Sequence, residues 1–361
     1  MGRESARALS GLTTSATTAP ATGVELSNAG RVDEFHSVDR PRFNQEIETR
    51  HEPAILRGLV AEWPAVQAAR QSTAALVDYL TARDNQARVK AFLGQPSIAG
   101  RYFYSPGVDA FNFAIAETTI SALLKALLDP AEKQRSIYMG STGTSHMLPS
   151  FAAENAMPLL DPAKAEPRIW IGNNSRVAPH YDEADNIACV VGGRRRFVLF
   201  PTEQVENLYV GPLDRTIAGQ PISMVDLDAP DYERFPKYRE AERHALIADL
   251  EPGDAIYIPA LWWHAVQATG EVNALVNYWW TDHPLDAGSP MHALGHGLLT
   301  ISHLPEHERE AWRVLFDHYV FKANGEPAEH IPEAARGILG RSTPEVRRMI
   351  KQFLMRALSS L

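Results

Sequence analysis

Residues 179–201 read PHYDEADNIACVVGGRRRFVLFP, and the fold turns on this stretch. From Asn186 it becomes an apolar, β-branched run, the composition of a strand buried on at least one face. His180 and Asp182 stand one residue apart just before that run. Side chains at i and i+2 of a strand share a face, so an imidazole and a carboxylate are presented together. A second histidine from a distant strand would complete the two-His, one-carboxylate set that holds non-haem Fe(II) with positions left open. His264, in PGDAIYIPALWWHAVQ, is the candidate. The bland alternatives are a core histidine packed beside Trp262 and Trp263, and for Asp182 an ordinary turn residue.

Outward from this stretch, RSIYMGS, RIWIGNN, NIACVVGG, RRFVLFP, DAIYIPA, HAVQAT and ALVNYWW read as short strands between Gly, Pro and Asn turns. Many short strands without intervening long helices predict an antiparallel jelly roll and exclude a doubly wound sheet. Gly192-Gly193 is expected to make a hairpin turn, and Pro252-Gly253-Asp254 a turn with glycine at the position that needs positive φ. The polar stretch from Gly211 to Leu250 is long enough to be a functional loop over a barrel mouth. Its Tyr232, Phe235 and Tyr238 are expected to pack it onto the barrel.

Earlier in the chain the pattern is mixed. A helix is expected in EFHSVDRPRFNQEIETRH, a strand in PAILRG, a helix in QSTAALVDYLTARD behind its Ser/Thr start, and strands in VKAFLG and RYFYS. ISALLKALLDP reads as a short helix stopped at Asp129-Pro130. From about Asp286 helical periodicity returns, and Ile350, Phe353, Leu354, Leu358 and Leu361 form one stripe of the last helix. The expected organisation is a disordered Ala/Ser/Thr/Gly leader at 1–31, a barrel domain at 32–285 with its core at about 136–282, and a helical dimerisation region at 286–361.

A chain of 361 residues, 45% hydrophobic, can bury a sizeable core. Its formal charge of -9 argues against a general nucleic-acid binder. The only cysteine, Cys189, lies in the apolar run IACVV and reads as a small buried hydrophobe, so no disulfide forms within the chain and a reducing, cytoplasmic location fits. No stretch approaches the roughly 18 uninterrupted apolar residues of a membrane span.

HYDEADN, FVLFP, VDLDAPDYERFP, PGDAIYIPALWWH and VNYWW together resemble the JmjC-type, cupin-fold 2-oxoglutarate oxygenases, most nearly the asparaginyl hydroxylase group that inhibits hypoxia-inducible factor. The resemblance runs from about Asp33 to Asp282. It implies a double-stranded β-helix in which His180, Asp182 and His264 hold Fe(II), with O₂ and 2-oxoglutarate consumed and succinate and CO₂ released. It places Asn186 and Asn277 beside the metal-chelating end of 2-oxoglutarate, and Tyr138 and Arg195 at its far carboxylate. Arg195 stands where the family has a lysine, which keeps the charge and changes the geometry. Val177 stands where the closest group has a hydroxyl residue, a loss of about 1.5–3 kcal/mol if nothing replaces that hydrogen bond. The resemblance also implies a homodimer formed through helices after the barrel. The substrates that fit are a protein or peptide side chain held across the barrel mouth, a modified nucleoside, or a small metabolite. The rivals are a metal-dependent cupin that does not use 2-oxoglutarate and a silent barrel used as a binding platform. The intact ligand set argues against silence.

Overall fold

The computed structural model describes residue 26 and residues 29–359 apart from 218. The leader expected at 1–31 therefore lies outside the described residues except at its last positions. Twelve strands form one sheet: β1 (Gly30–Arg31), β2 (Asp33–His36), β3 (Ala54–Arg57), β4 (Val89–Gly94), β5 (Phe113–Thr118), β6 (Ser136–Gly143), β7 (Arg168–Gly172), β8 (Ser175–His180), β9 (Asp185–Phe200), β10 (Leu246–Leu250), β11 (Ala255–Ile258) and β12 (Trp263–Trp280). Pairing is antiparallel except between β1 and β10 and between β2 and β3. The chain splits into a unit ending at Trp280 and a second from Thr281 onward.

The jelly roll depends on β9 and β12, which pair with each other along most of their length. The first part of β9 also carries β11 and its second part β10. On β12, the second part carries β7 and the first part β8. Both long strands thus pass from one layer of the roll to the other. This corrects the hairpin expected at Gly192-Gly193, where the chain bends without reversing. Gly193 has φ 72°, and a Cβ there would lie 1.8 Å from Asn273 Oδ1. The register between β9 and β12 slips at the same place, as a bulge at a barrel corner does.

The bend inserts an extra residue into the alternation of β9. Before it, Ile187, Cys189 and Val191 face a core shared with the N-terminal helices, while Ala188 and Val190 face the barrel interior. After it, the odd positions Phe197 and Leu199 are the interior ones. The buried Cys189 behaves as the small apolar residue expected.

Two N-terminal expectations also change. The helix expected before His51 is three short pieces, Arg40–Arg42, Phe43–Ile47 and Glu48–Arg50, capped by the Asp39 carboxylate accepting from Arg42 N at 2.9 Å. The changes of pitch let Phe43 pack edge-on against Tyr257 at 5.4 Å. RYFYS forms no strand. It touches β8 through a parallel bridge between Arg101 and Arg176, and the strand of this region is β5. Ser72 caps the helix Thr73–Thr81, and Ile120–Leu128 ends at Asp129, both as expected.

The polar stretch after Gly211 ends in β10, so its last residues belong to the roll itself. Phe235 and Tyr238 are buried against Val198, Phe200 and Trp263 of the barrel, with Tyr232 partly buried beside them.

The second unit holds the helices Pro290–Thr300, Glu306–Tyr319 and Pro344–Ser359, none of which has a buried residue. On the last helix Phe353 is 61% and Leu358 49% exposed, while Leu361 of the expected stripe lies outside the described residues. Among the described residues no helix is long and apolar enough to cross a membrane.

Candidate metal centre

His180 closes β8, His264 lies at the start of β12, and the register sets them opposite each other. Their ring centroids are 4.3 Å apart. From His264↔His180 the pairing slips to Val266↔Val177, so two steps on β12 match three on β8. Such a bulge re-aims side chains beside a site. Asp182 follows two residues after His180, and one ligand atom from each of the three residues lies within 4.8 Å of the others. His264 Nε2 is 3.6 Å from Asp182 Oδ2.

Each imidazole is held by the carbonyl two residues before it. His180 Nδ1 lies 3.0 Å from Ala178 O, and His264 Nδ1 lies 3.0 Å from Trp262 O. A carbonyl only accepts, so Nδ1 carries the proton and the Nε2 lone pair is left for a metal. Burial, and next to it His180, push the His264 pKa down to about 4, against the opposing pull of Asp182. His264 is therefore neutral at neutral pH, as a ligand must be.

The carboxylate is held as firmly. Asp182 Oδ2 accepts from Trp279 Nε1 at 2.9 Å and from Asn186 Nδ2 at 3.3 Å. The Asp182 carbonyl accepts from Leu261 N at 2.8 Å, and the Leu261 carbonyl accepts from Thr202 Oγ1 at 2.9 Å. Asp185 Oδ1, three residues on, accepts from Tyr257 OH at 2.9 Å and Ala260 N at 3.2 Å, tying the ligand loop to the turn before His264. Two imidazoles and one carboxylate, each held by hydrogen bonds, fit a divalent first-row metal with open coordination positions.

The residues expected to hold 2-oxoglutarate are brought to the same interior. Asn277 Nδ2 donates to Asn186 Oδ1 at 2.8 Å, and Asn277 Oδ1 is buried without a partner. Arg195 is 4% exposed, and its Nη1 has no hydrogen-bond partner. Burial lowers its pKa to about 10, which leaves it charged at neutral pH. Its neighbours face the other way: Arg194 pairs with Glu251 at 3.0 Å in solvent, and half-buried Arg196 with Asp249 at 2.6 Å. The group nearest Arg195 electrostatically is the Tyr138 phenol, whose pKa burial raises, so it stays a hydrogen-bond donor. A buried guanidinium with no acid beside it costs several kcal/mol unless an anion joins it. A buried guanidinium beside a protonated phenol therefore fits a carboxylate guest.

Several site residues were missed in the sequence. Trp279 stands two residues after Asn277 in VNYWW, so strand alternation could have found it. Trp170 stacks on Tyr138 at 5.8 Å and meets Trp279 edge-on at 6.2 Å. Its indole N–H is buried and unpartnered, as is the Tyr102 hydroxyl. Neither carries a signal in sequence beyond being aromatic.

With this geometry in view, the comparisons with known proteins can be placed. A family model described as a cupin-like domain matches residues 40–286. The chain is 24% identical to tRNA wybutosine-synthesizing protein 5 of Gallus gallus, over 78% of this chain and 92% of that protein. It is 25% identical to Lysine-specific demethylase 8 of Xenopus tropicalis, over 71% of this chain and 54% of the relative. With HSPB1-associated protein 1 of Homo sapiens it shares 36% identity over 32% of this chain and 23% of the relative. It thus spans nearly all of the first relative, about half of the second and about a quarter of the third. These relatives support the broader cupin-like, JmjC-related assignment and do not single out the asparaginyl hydroxylases.

Proposed function

The chain belongs to the cupin-like domain family, and from that premise we propose that it is an Fe(II)- and 2-oxoglutarate-dependent oxygenase that hydroxylates a C–H bond of a protein or peptide side chain. One observation carries the reading: the interior that presents the His180, Asp182 and His264 ligands also holds the unpaired, buried guanidinium of Arg195. A cupin without a keto-acid co-substrate has no use for that charge, and a silent barrel has no use for two imidazoles with fixed tautomers.

His180, Asp182 and His264 would hold the iron, and Arg195 with Tyr138 the far carboxylate of 2-oxoglutarate. When bound, iron and 2-oxoglutarate together supply the activation of O₂, and the co-substrate leaves as succinate and CO₂. The chain's own residues do the positioning. Trp279 and Asn186 fix the Asp182 carboxylate, and Asn277 fixes Asn186. Arg195 neutralises the buried carboxylate, and the apolar lining of Val190, Phe197, Leu199 and Leu275 keeps water from the interior.

Supplying the protein with Fe(II), 2-oxoglutarate and O₂ tests this. Succinate release with O₂ uptake, both lost in His180→Ala, is the expected result. Metal binding without any succinate would sink the oxygenase reading. A search of a treated proteome for side chains that have gained one oxygen identifies the substrate. A modified nucleoside is the second reading, favoured by the length over which the wybutosine-synthesizing protein aligns and opposed by the net charge of -9. Transfer RNA in place of the proteome separates the two.

The same proposal includes a homodimer through the C-terminal helices, supported by the exposure of Phe353, Leu354 and Leu358, and a cytoplasmic location, supported by the single buried cysteine.

A further inference from the structure

We infer that Tyr102 is the second phenol of the carboxylate site and supplies the hydrogen bond that Val177 cannot. The inference rests on the co-substrate reading above and extends it to a residue in a segment that forms no strand.

The facing of Tyr102 follows from the bridge before it. Arg101 and Arg176 pair in parallel register, and Arg176 N donates to Gly100 O at 2.8 Å. Both arginines turn to the outer face, where Arg101 meets Asp226 at 3.3 Å and Arg176 meets Asp228. Successive residues of paired extended segments point to opposite faces. The next residue of each, Tyr102 and Val177, therefore lies on the inner side. Val177 stands opposite Val266, which packs into the interior core.

Tyr102 is 4% exposed and its ring lies tilted against Tyr138, with centroids 5.3 Å apart. The Tyr138 ring is thus held between Tyr102 and Trp170. The Tyr102 hydroxyl is buried and has no hydrogen-bond partner. Burial, and after it the neighbouring Tyr138, raise its pKa, so it keeps its proton and remains a donor. A buried hydroxyl left unpaired is rare and costly unless a guest completes it. Tyr138, which Tyr102 touches, is in turn the neighbour of Arg195, so the guest the hydroxyl would complete is the same carboxylate. The Tyr138 phenol and a cation are then kept from the family pattern, and a second phenol stands in for its hydroxyl.

The test measures binding of 2-oxoglutarate to the Mn(II)-loaded protein by calorimetry, together with thermal melting without ligand. Tyr102→Phe is expected to weaken 2-oxoglutarate at least tenfold while leaving the ligand-free melting temperature unchanged or raised, because the lost hydroxyl had no partner there. Val177→Thr placed in the Tyr102→Phe background is expected to restore most of the affinity. Arg195→Ala is the control for the co-substrate site itself. If wild type and Arg195→Ala bind 2-oxoglutarate equally, or wild type not at all, the co-substrate reading fails and this inference with it. If Arg195→Ala abolishes binding while Tyr102→Phe binds like wild type, the inference alone is overturned. A ligand-free Tyr102→Phe protein that melts lower would overturn it too, by showing that the hydroxyl is already engaged.

Discussion

The barrel and the C-terminal segment treat their apolar residues in opposite ways. In the barrel even an arginine is buried, and Trp263, Tyr257 and Phe197 are almost wholly inaccessible. In the segment after Trp280, Trp312 is 44%, Val314 64% and Phe321 69% exposed, and no helix there buries a residue. The barrel needs its sheet to hide β-branched residues on two faces, whereas an amphipathic helix hides nothing until something lies on its stripe. The first region has its stability within itself, and the second has stability to gain from contact.

The sharpest way to break this contrast is inside the barrel. His180→Ala and Asp182→Ala are each expected to weaken metal binding more than about 100-fold, the loss of a direct ligand exceeding that of an outer-shell partner. The melting temperature without metal should hardly move, since neither residue fills core volume. A large loss of stability in either variant would show that the site is part of the core. Gly193→Ala reverses the pattern. The new Cβ meets Asn273 Oδ1 at 1.8 Å and the backbone has φ 72°, so denaturant unfolding should report a loss of about 2–4 kcal/mol.

Arg195→Met separates function from stability. It should raise ligand-free stability by about 1–3 kcal/mol, because a buried unpaired charge is replaced by an apolar chain, and it should remove 2-oxoglutarate binding seen by calorimetry. In the C-terminal segment, Phe353→Glu is expected to leave barrel melting unchanged and to lower the molar mass seen by light scattering from dimer to monomer. A wild type already monomeric at micromolar concentration would end the dimer proposal. Smallest of all, Arg194→Ala should change stability by under about 1 kcal/mol, as an exposed ion pair does, and both it and Arg196→Ala should leave 2-oxoglutarate affinity as it was.

Those arginines also mark what could be read from sequence. His180, Asp182 and His264 were legible as a set, but not for the reason expected: the strand that was to carry both His180 and Asp182 ends at His180, and the carboxylate comes from the loop before β9. Which arginine points inward was legible only through the family resemblance, which names Arg195, and not from alternation. Counting alternation from Asn186 sends Arg194 and Arg196 inside with Ala188 and Val190. The extra residue at the Gly192-Gly193 bend shifts the count and sends Arg195 inside. A bulge and a hairpin begin with the same glycines, and only the partner strand decides between them. Tyr102 was hidden for a related reason: RYFYS alternates like a strand, yet it is held by isolated bridges, one to β8 more than seventy residues away and one to Phe111, and by hydrogen bonds to Asn112.

The bridge to β8 makes the barrel wall two-sided. Arg101 and Arg176 face outward to Asp226 and Asp228 of the VDLDAPDY stretch, while the residues after them, Tyr102 and Val177, line the inner side. The polar stretch over the barrel and the carboxylate end of the cavity are in this way bolted to opposite sides of one panel. The ion pairs that hold the polar stretch and the residues that would support the co-substrate therefore share one stretch of backbone, a single residue apart.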